Sequence, residues 1–208
     1  MITPADSQPI IVADAGPLIR LAAAGLLESL RGLNRRIVLV DRIEDEVTGD
    51  RSKPFASEIA AWIERMDDAI LRAETAIGYG IRALREGERN ADQERLLRLA
   101  LRDSGELALR EFLGYWRPTE PGAAIVIYED RRVASLFVEV DFHVTIMTTR
   151  MFVEKIAAWG INVDAVEALE AISHRYDLKP ALIAEIDPAT PRDMRELPQP
   201  FTWDEAPS

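Results

Sequence analysis

The run Ile10-Ile11-Val12-Ala13 is apolar without a break, largely β-branched, and stops at Asp14. A strand with one wet face alternates apolar and polar residues, whereas an unbroken run marks a strand covered on both faces, as in a parallel sheet between helices. Pro17 then stands where a helix begins, and Leu18, Leu21, Ala22, Leu26, Leu27 and Leu30 return at helical spacing. The chain therefore opens as strand, turn and helix.

The same unit recurs. A second buried-type strand at residues 37–40 runs into the acidic stretch 41–46, and Phe55, Ile59, Trp62, Ile63 and Met66 give an amphipathic helix. Residues 69–73 read as a short edge strand. Residues 76–116 read as helices broken at Gly87-Glu88-Arg89-Asn90. A strand at residues 124–128 leads into Glu129-Asp130 and a helical pattern through Val133, Leu136 and Phe137. The strand at 144–147 leads into Thr148-Thr149 and a helix with Phe152, Ile156, Ala157 and Trp159. Buried strands separated by helices predict an α/β fold: a three-layer α/β/α domain around a mainly parallel sheet. Beyond Gly160, Val163, Val166, Leu169 and Ile172 predict another helix, and residues 181–186 one more. Five prolines among acids after residue 187 predict a loose or partner-wrapping tail. We divide the chain into a domain at 1–160 and a C-terminal helical extension with a Pro-rich tail at 161–208.

Composition narrows the function classes. Formal net charge is -11 at pH 7, so nucleic acid bound by bulk charge alone is excluded; any such contact has to be made by a local site. There is no cysteine, which excludes disulfides and thiolate chemistry. The opening residues MITPADSQPI hold Asp6, no Lys or Arg, and no apolar run of signal or membrane-spanning length; the expectation is a cytoplasmic protein without a membrane role.

In an open α/β sheet, ligands bind outside the carboxyl ends of the strands. Position along the chain then becomes position in space: Asp14 follows the first strand, Glu46 opens the helical region after the second, and Glu129 and Asp130 follow the strand at 124–128. Asp103 and Glu106, in Asp103-Ser104-Gly105-Glu106, start another helix that can reach the same edge. Each acid also has a plainer reading. Asp14 and Asp130 fit as helix caps, Asp103 with Glu106 as a capping box, and Glu46 as a solvated surface group. Taken together, carboxylates crowded at one site raise one another's pKa unless cations neutralise them. Oxygen donors with no Cys and no His at ligand spacing favour Mg²⁺ or Mn²⁺ over zinc. His143 and His174 read as structural or exposed.

Four blocks of sequence resemble the PIN domain family, most nearly its VapC-type toxin nucleases. They are residues 12–22 with Gly25-Leu26-Leu27, residues 40–47 with Glu46 as the second acid, residues 103–108, and residues 125–134 with Glu129-Asp130. Glu129 stands where the family more usually has Asp, and Thr148-Thr149-Arg150 where it has a Gly-Thr or Gly-Ser turn. The resemblance implies a five-stranded sheet in order 3-2-1-4-5 and a metal-dependent endoribonuclease. Asp14, Glu46, Asp103, Glu129 and Asp130 would be catalytic, and Asp14, Glu46, Asp103, Glu106 and Asp130 would hold Mg²⁺ or Mn²⁺. RNA would be hydrolysed by a metal-activated water. Arg131 and Arg150, with Arg20 and Arg132, lie beside the proposed site in sequence and would bind flanking phosphates, a solvated or salt-bridged role being the plainer reading; Thr148 or Thr149 would orient a water or phosphate, or else cap a helix. The partners implied are RNA, a cognate antitoxin covering the acidic groove, and a second copy in a homodimer.

Rival phosphoryl chemistries lack their residues. A haloacid-dehalogenase-like phosphatase needs an acid two positions after Asp14, where Gly16 stands, and a response-regulator receiver needs a Lys after a late strand, whereas Lys155 falls inside a helical pattern. The alternative from another class is a PIN-like module without turnover, serving in binding or regulation.

Overall fold

The computed structural model describes residues 9–33, 35–86, 90–116, 124–129 and 144–175, with residues 173–175 by backbone only. Asp130, Arg131, Arg132, His143, the helical pattern at 133–137, the segment 181–186 and the Pro-rich tail lie outside the described residues, as does the side chain of His174. Five strands, β1 (Ile10–Ala13), β2 (Arg36–Val40), β3 (Ile70–Ala73), β4 (Ala124–Tyr128) and β5 (Val144–Thr148), form one sheet in the order β3-β2-β1-β4-β5. Every pairing is parallel, with Ile11 opposite Ile37 on one side and Ile125 on the other. Helices α1 (Ala15–Ala23), α2 (Asp41–Thr48), α3 (Ala56–Arg65), α4 (Ala76–Arg85), α5 (Ala91–Leu101), α6 (Ser104–Tyr115), α7 (Thr149–Ala158) and α8 (Ala165–Arg175) flank it. The predicted three-layer α/β/α architecture is the one observed, with a sheet that is parallel throughout.

Burial follows the composition of the strands. Every residue of β1 and β4 is buried, whereas β3 and β5, at the sheet edges, carry exposed or half-buried positions such as Arg72 and Thr145. Central parallel strands are covered on both faces, and their unbroken apolar runs are the sequence-level consequence. Trp62 of α3 and Phe152 of α7 are among the largest fully buried side chains. Ala165, Leu169 and Ile172 of α8 belong to the same core, so this helix of the C-terminal extension packs onto the domain rather than standing apart from it.

Two helices begin earlier than their apolar spacing predicts. Helix α1 starts at Ala15, two residues before Pro17. Proline is tolerated there because N–H groups of a first turn have no intrahelical partner. Residues 41–46 are themselves the body of α2, which starts directly after β2. The start of α4 is held by three side chains from separate elements. Thr75 Oγ1 accepts from Gly78 N at 2.9 Å, Glu111 of α6 accepts from the amides of Ala76 and Ile77, and Asp41 accepts from Thr75 N at 3.1 Å and from its hydroxyl at 2.8 Å.

Candidate functional site

The turns after β1 and β2 and the start of α6 enclose a cleft of about 770 Å³ at the carboxyl ends of the central strands. This is where an open parallel sheet binds its ligands. Asp14, Glu46, Asp103 and Glu106 all line it. Asp14 is fixed at the end of β1 because its amide continues the ladder, donating to Ile127 O of β4 at 2.9 Å. Glu46 lies a turn along α2. Both carboxylates lie near Gly105: a methyl group at that glycine would stand 3.3 Å from Glu46 Oε2 and 4.0 Å from Asp14 Oδ1. The absence of a side chain at Gly105 keeps the space between them open.

Neither acid at a helix start acts as a cap. Asp14 and Asp103 occupy the N-cap positions of α1 and α6, yet neither side chain makes a capping hydrogen bond. The capping box expected of Asp103 with Glu106 is therefore not formed. Asp103 has φ +53°, a left-handed conformation that costs an L-residue energy and that Asp tolerates better than most. Its carboxylate instead lies 3.8 Å from Arg102 Nε at the mouth of the cleft.

Cations are interleaved with these acids. Arg42, Lys53 and Arg85 line the cleft beside Asp45 and Asp50. Arg42 is buried; its Nη1 donates to Asp45 Oδ2 at 2.5 Å, and its Nε and Nη2 donate to Ser104 Oγ on α6 at 3.3 and 3.2 Å. Arg85 Nη1 reaches the same Asp45 oxygen at 3.3 Å. The Ser52 hydroxyl and amide hold Asp50 below the usual carboxylate pKa. Arg42, Asp45, Ser104, Lys53 and Arg85 are cleft residues beyond those expected from the sequence. The spacing of Arg42, Asp45 and Glu46 along one helix was a usable signal for the first two. Arg85 comes from α4 through the fold alone.

Glu129 is placed differently from the other predicted acids. It is not among the residues that line the cleft but packs against Gly16, which is: a side chain on that glycine would meet Glu129 Cγ at 3.3 Å. There its Oε1 lies 3.6 Å from Arg20 Nε of α1, both side chains being largely buried. Burial pushes the Glu129 carboxyl above the ordinary glutamate pKa; Thr149 and Arg20 pull it back only in part. The predicted substrate contacts among the described residues, Thr148, Thr149 and Arg150, are likewise engaged elsewhere. Thr148 Oγ1 caps α7 by accepting from Met151 N at 3.2 Å, Thr149 is buried beside Glu129, and Arg150 pairs with Glu154 and with Glu170 of α8.

The donor set of the cleft is oxygen only, and Gly105 leaves a cradle between Asp14 and Glu46 that a Cβ would fill. Both features fit a hard divalent cation. Among the described residues, no three acidic or histidine side chains are already gathered closely enough to hold one. Compared with known proteins, the chain matches no family model, no curated protein and no solved structure.

Proposed function

We propose that this protein is a metal-dependent endoribonuclease of the PIN kind, similar to the VapC-type toxins. The observation that carries this reading is the approach of Asp14 and Glu46 over the bare Cα of Gly105, with Asp103 and Glu106 lining the same cleft. Four carboxylates in one cleft at the carboxyl ends of a parallel sheet repel one another, and a divalent cation relieves that repulsion. Asp14 and Glu46, with Asp103 and Glu106, would hold Mg²⁺ or Mn²⁺, and Asp130 is the further ligand implied by the resemblance. When bound, such an ion supplies a water of lowered pKa and neutralises charge developing on phosphate.

The chain's own cations complete the site. Lys53 and Arg85 stand in the cleft where the phosphates flanking a scissile bond would lie, and Arg85 is steered there by Asp45. These contacts offset the repulsion that a net charge of -11 exerts on an RNA strand. No described helix is long and apolar enough to cross a membrane. On this reading the protein acts in the cytoplasm, pairs with a second copy, and is restrained by an antitoxin segment laid over the acidic cleft.

A second reading, a PIN-like binding or regulatory module without turnover, is favoured by one observation: Glu129 is paired with Arg20 instead of lining the cleft. Incubating purified protein with single-stranded and structured RNAs in Mn²⁺, Mg²⁺ or EDTA separates the two. Cleavage in either metal that stops in EDTA is expected. RNA binding without cleavage in both metals would favour the module.

A further inference from the structure

The cleft has two acidic walls from distant parts of the sequence. Helix α2 supplies Glu46, and the start of α6 supplies Asp103 and Glu106. Their separation decides whether the carboxylates can share one cation, and one side chain spans the gap. Arg42 sits four residues before Glu46, so the two lie on neighbouring turns of one face. Its guanidinium donates to Ser104 Oγ twice, through Nε at 3.3 Å and Nη2 at 3.2 Å, joining residues 62 apart in sequence. The third branch, Nη1, is tied back to Asp45 on its own helix at 2.5 Å. Ser104 is fixed in turn by donating its hydroxyl to Leu101 O at 3.0 Å. Arg42 and Ser104 are 4% and 3% exposed, so water does not compete for these bonds.

We infer that Arg42, acting through Ser104, is the positioning residue that sets the distance between Glu46 and the acids of α6, and so tunes how tightly the cleft binds a divalent cation. This deepens the nuclease reading and rests on it for the role of the ion. The planar fork of arginine resists rotation and sliding in a way that a lysine point charge does not. The clamp also closes where precision is needed. Ser104 precedes Gly105, over which Glu46 Oε2 rests, and follows Asp103, whose backbone is held at φ +53°. Loosening Ser104 moves both neighbours together. Groups that orient ligands without touching the metal change its affinity by about 10- to 100-fold when removed.

The test uses the full chain with Ser104→Ala, which removes the acceptor but little volume, Ser104→Thr, which restores a hydroxyl, and Arg42→Lys. Mn²⁺ affinity is measured by calorimetry and amide hydrogen exchange at residues 43–47 and 105–107 by mass spectrometry, both beside thermal melts. Ser104→Ala and Arg42→Lys are expected to bind Mn²⁺ about 10-fold or more weakly and to exchange faster at both segments, with Ser104→Thr returning toward wild type. Wild-type affinity and exchange in Ser104→Ala would overturn the clamp. If the wild type binds no Mn²⁺, the nuclease reading fails by itself, and the exchange comparison still decides the clamp: faster exchange in Ser104→Ala upholds it, and unchanged exchange overturns it.

Discussion

Arg20 and Glu129 form an ion pair inside the protein, Nε to Oε1 3.6 Å, with 9% and 8% of the two side chains exposed. At that distance the pair has Coulomb attraction without a hydrogen bond, and Arg20 Nη2 has no hydrogen-bond partner among the described residues. The attraction does not fully repay desolvation, and the Glu129 pKa is raised.

A raised carboxyl pKa means that the folded state holds the proton more tightly than the unfolded chain. Its contribution to stability is full below the unfolded glutamate pKa of about 4.3 and is lost as pH rises through the folded value. Glu129→Gln has no such loss. In metal-free buffer, the melting temperature of Glu129→Gln minus that of wild type is therefore expected to rise from pH 4 upward and then level off. A difference flat in pH, or falling, would contradict it. The Arg20 attraction acts only where Glu129 is ionised and is already contained in its pKa, so it lessens the rise without reversing it.

Asp103 separates strain from charge. Its left-handed backbone favours Gly and tolerates Asn, while Ala at φ +53° costs on the order of 1 kcal/mol. Melting temperatures are expected to order Gly at or above Asp and Asn, with Ala lowest. Mn²⁺ binding, by contrast, is expected to weaken in all three variants, since each loses the carboxylate that lines the cleft. Metal affinity that tracked stability instead would remove Asp103 from the cation site.

Gly78 has no room for a side chain: a Cβ there would lie 1.8 Å from Asp41 Oδ2. Gly78→Ala must displace the carboxylate that binds Thr75 and pairs with Arg82 at 3.2 Å. The expected cost is about 1–3 kcal/mol, read as a fall in melting temperature. Asp41→Ala removes the same contacts, so the double variant should cost less than the two singles summed. Full additivity would mean that the two positions do not communicate.

The sheet was legible because its signal is composition over four or five residues. No alternating pattern competes with runs such as Ile10-Ile11-Val12-Ala13, and parallel connections then leave few topologies. The place of Asp14 was legible for the same reason, since chain position sets position at the sheet edge. What a side chain does once there was less so. Asp14 and Asp103 have the sequence signature of helix caps, yet neither side chain caps its helix and both line the cleft. Arg42 reads as one charge in an acidic helix until α6 brings Ser104 to it across 62 residues. The burial of Glu129 depends on Arg20 reaching it from α1, a contact that no local spacing announces.

If Asp14 and its neighbours hold a divalent cation on which RNA hydrolysis depends, replacing the Asp14 carboxylate abolishes cleavage. The most direct test is cleavage of one defined RNA by wild type and Asp14→Asn, prepared identically and matched for melting behaviour, in Mn²⁺ and in EDTA. Metal-dependent cleavage by the wild type is expected, with loss of nearly all of it in the variant. Undiminished cleavage by a folded Asp14→Asn protein would contradict it.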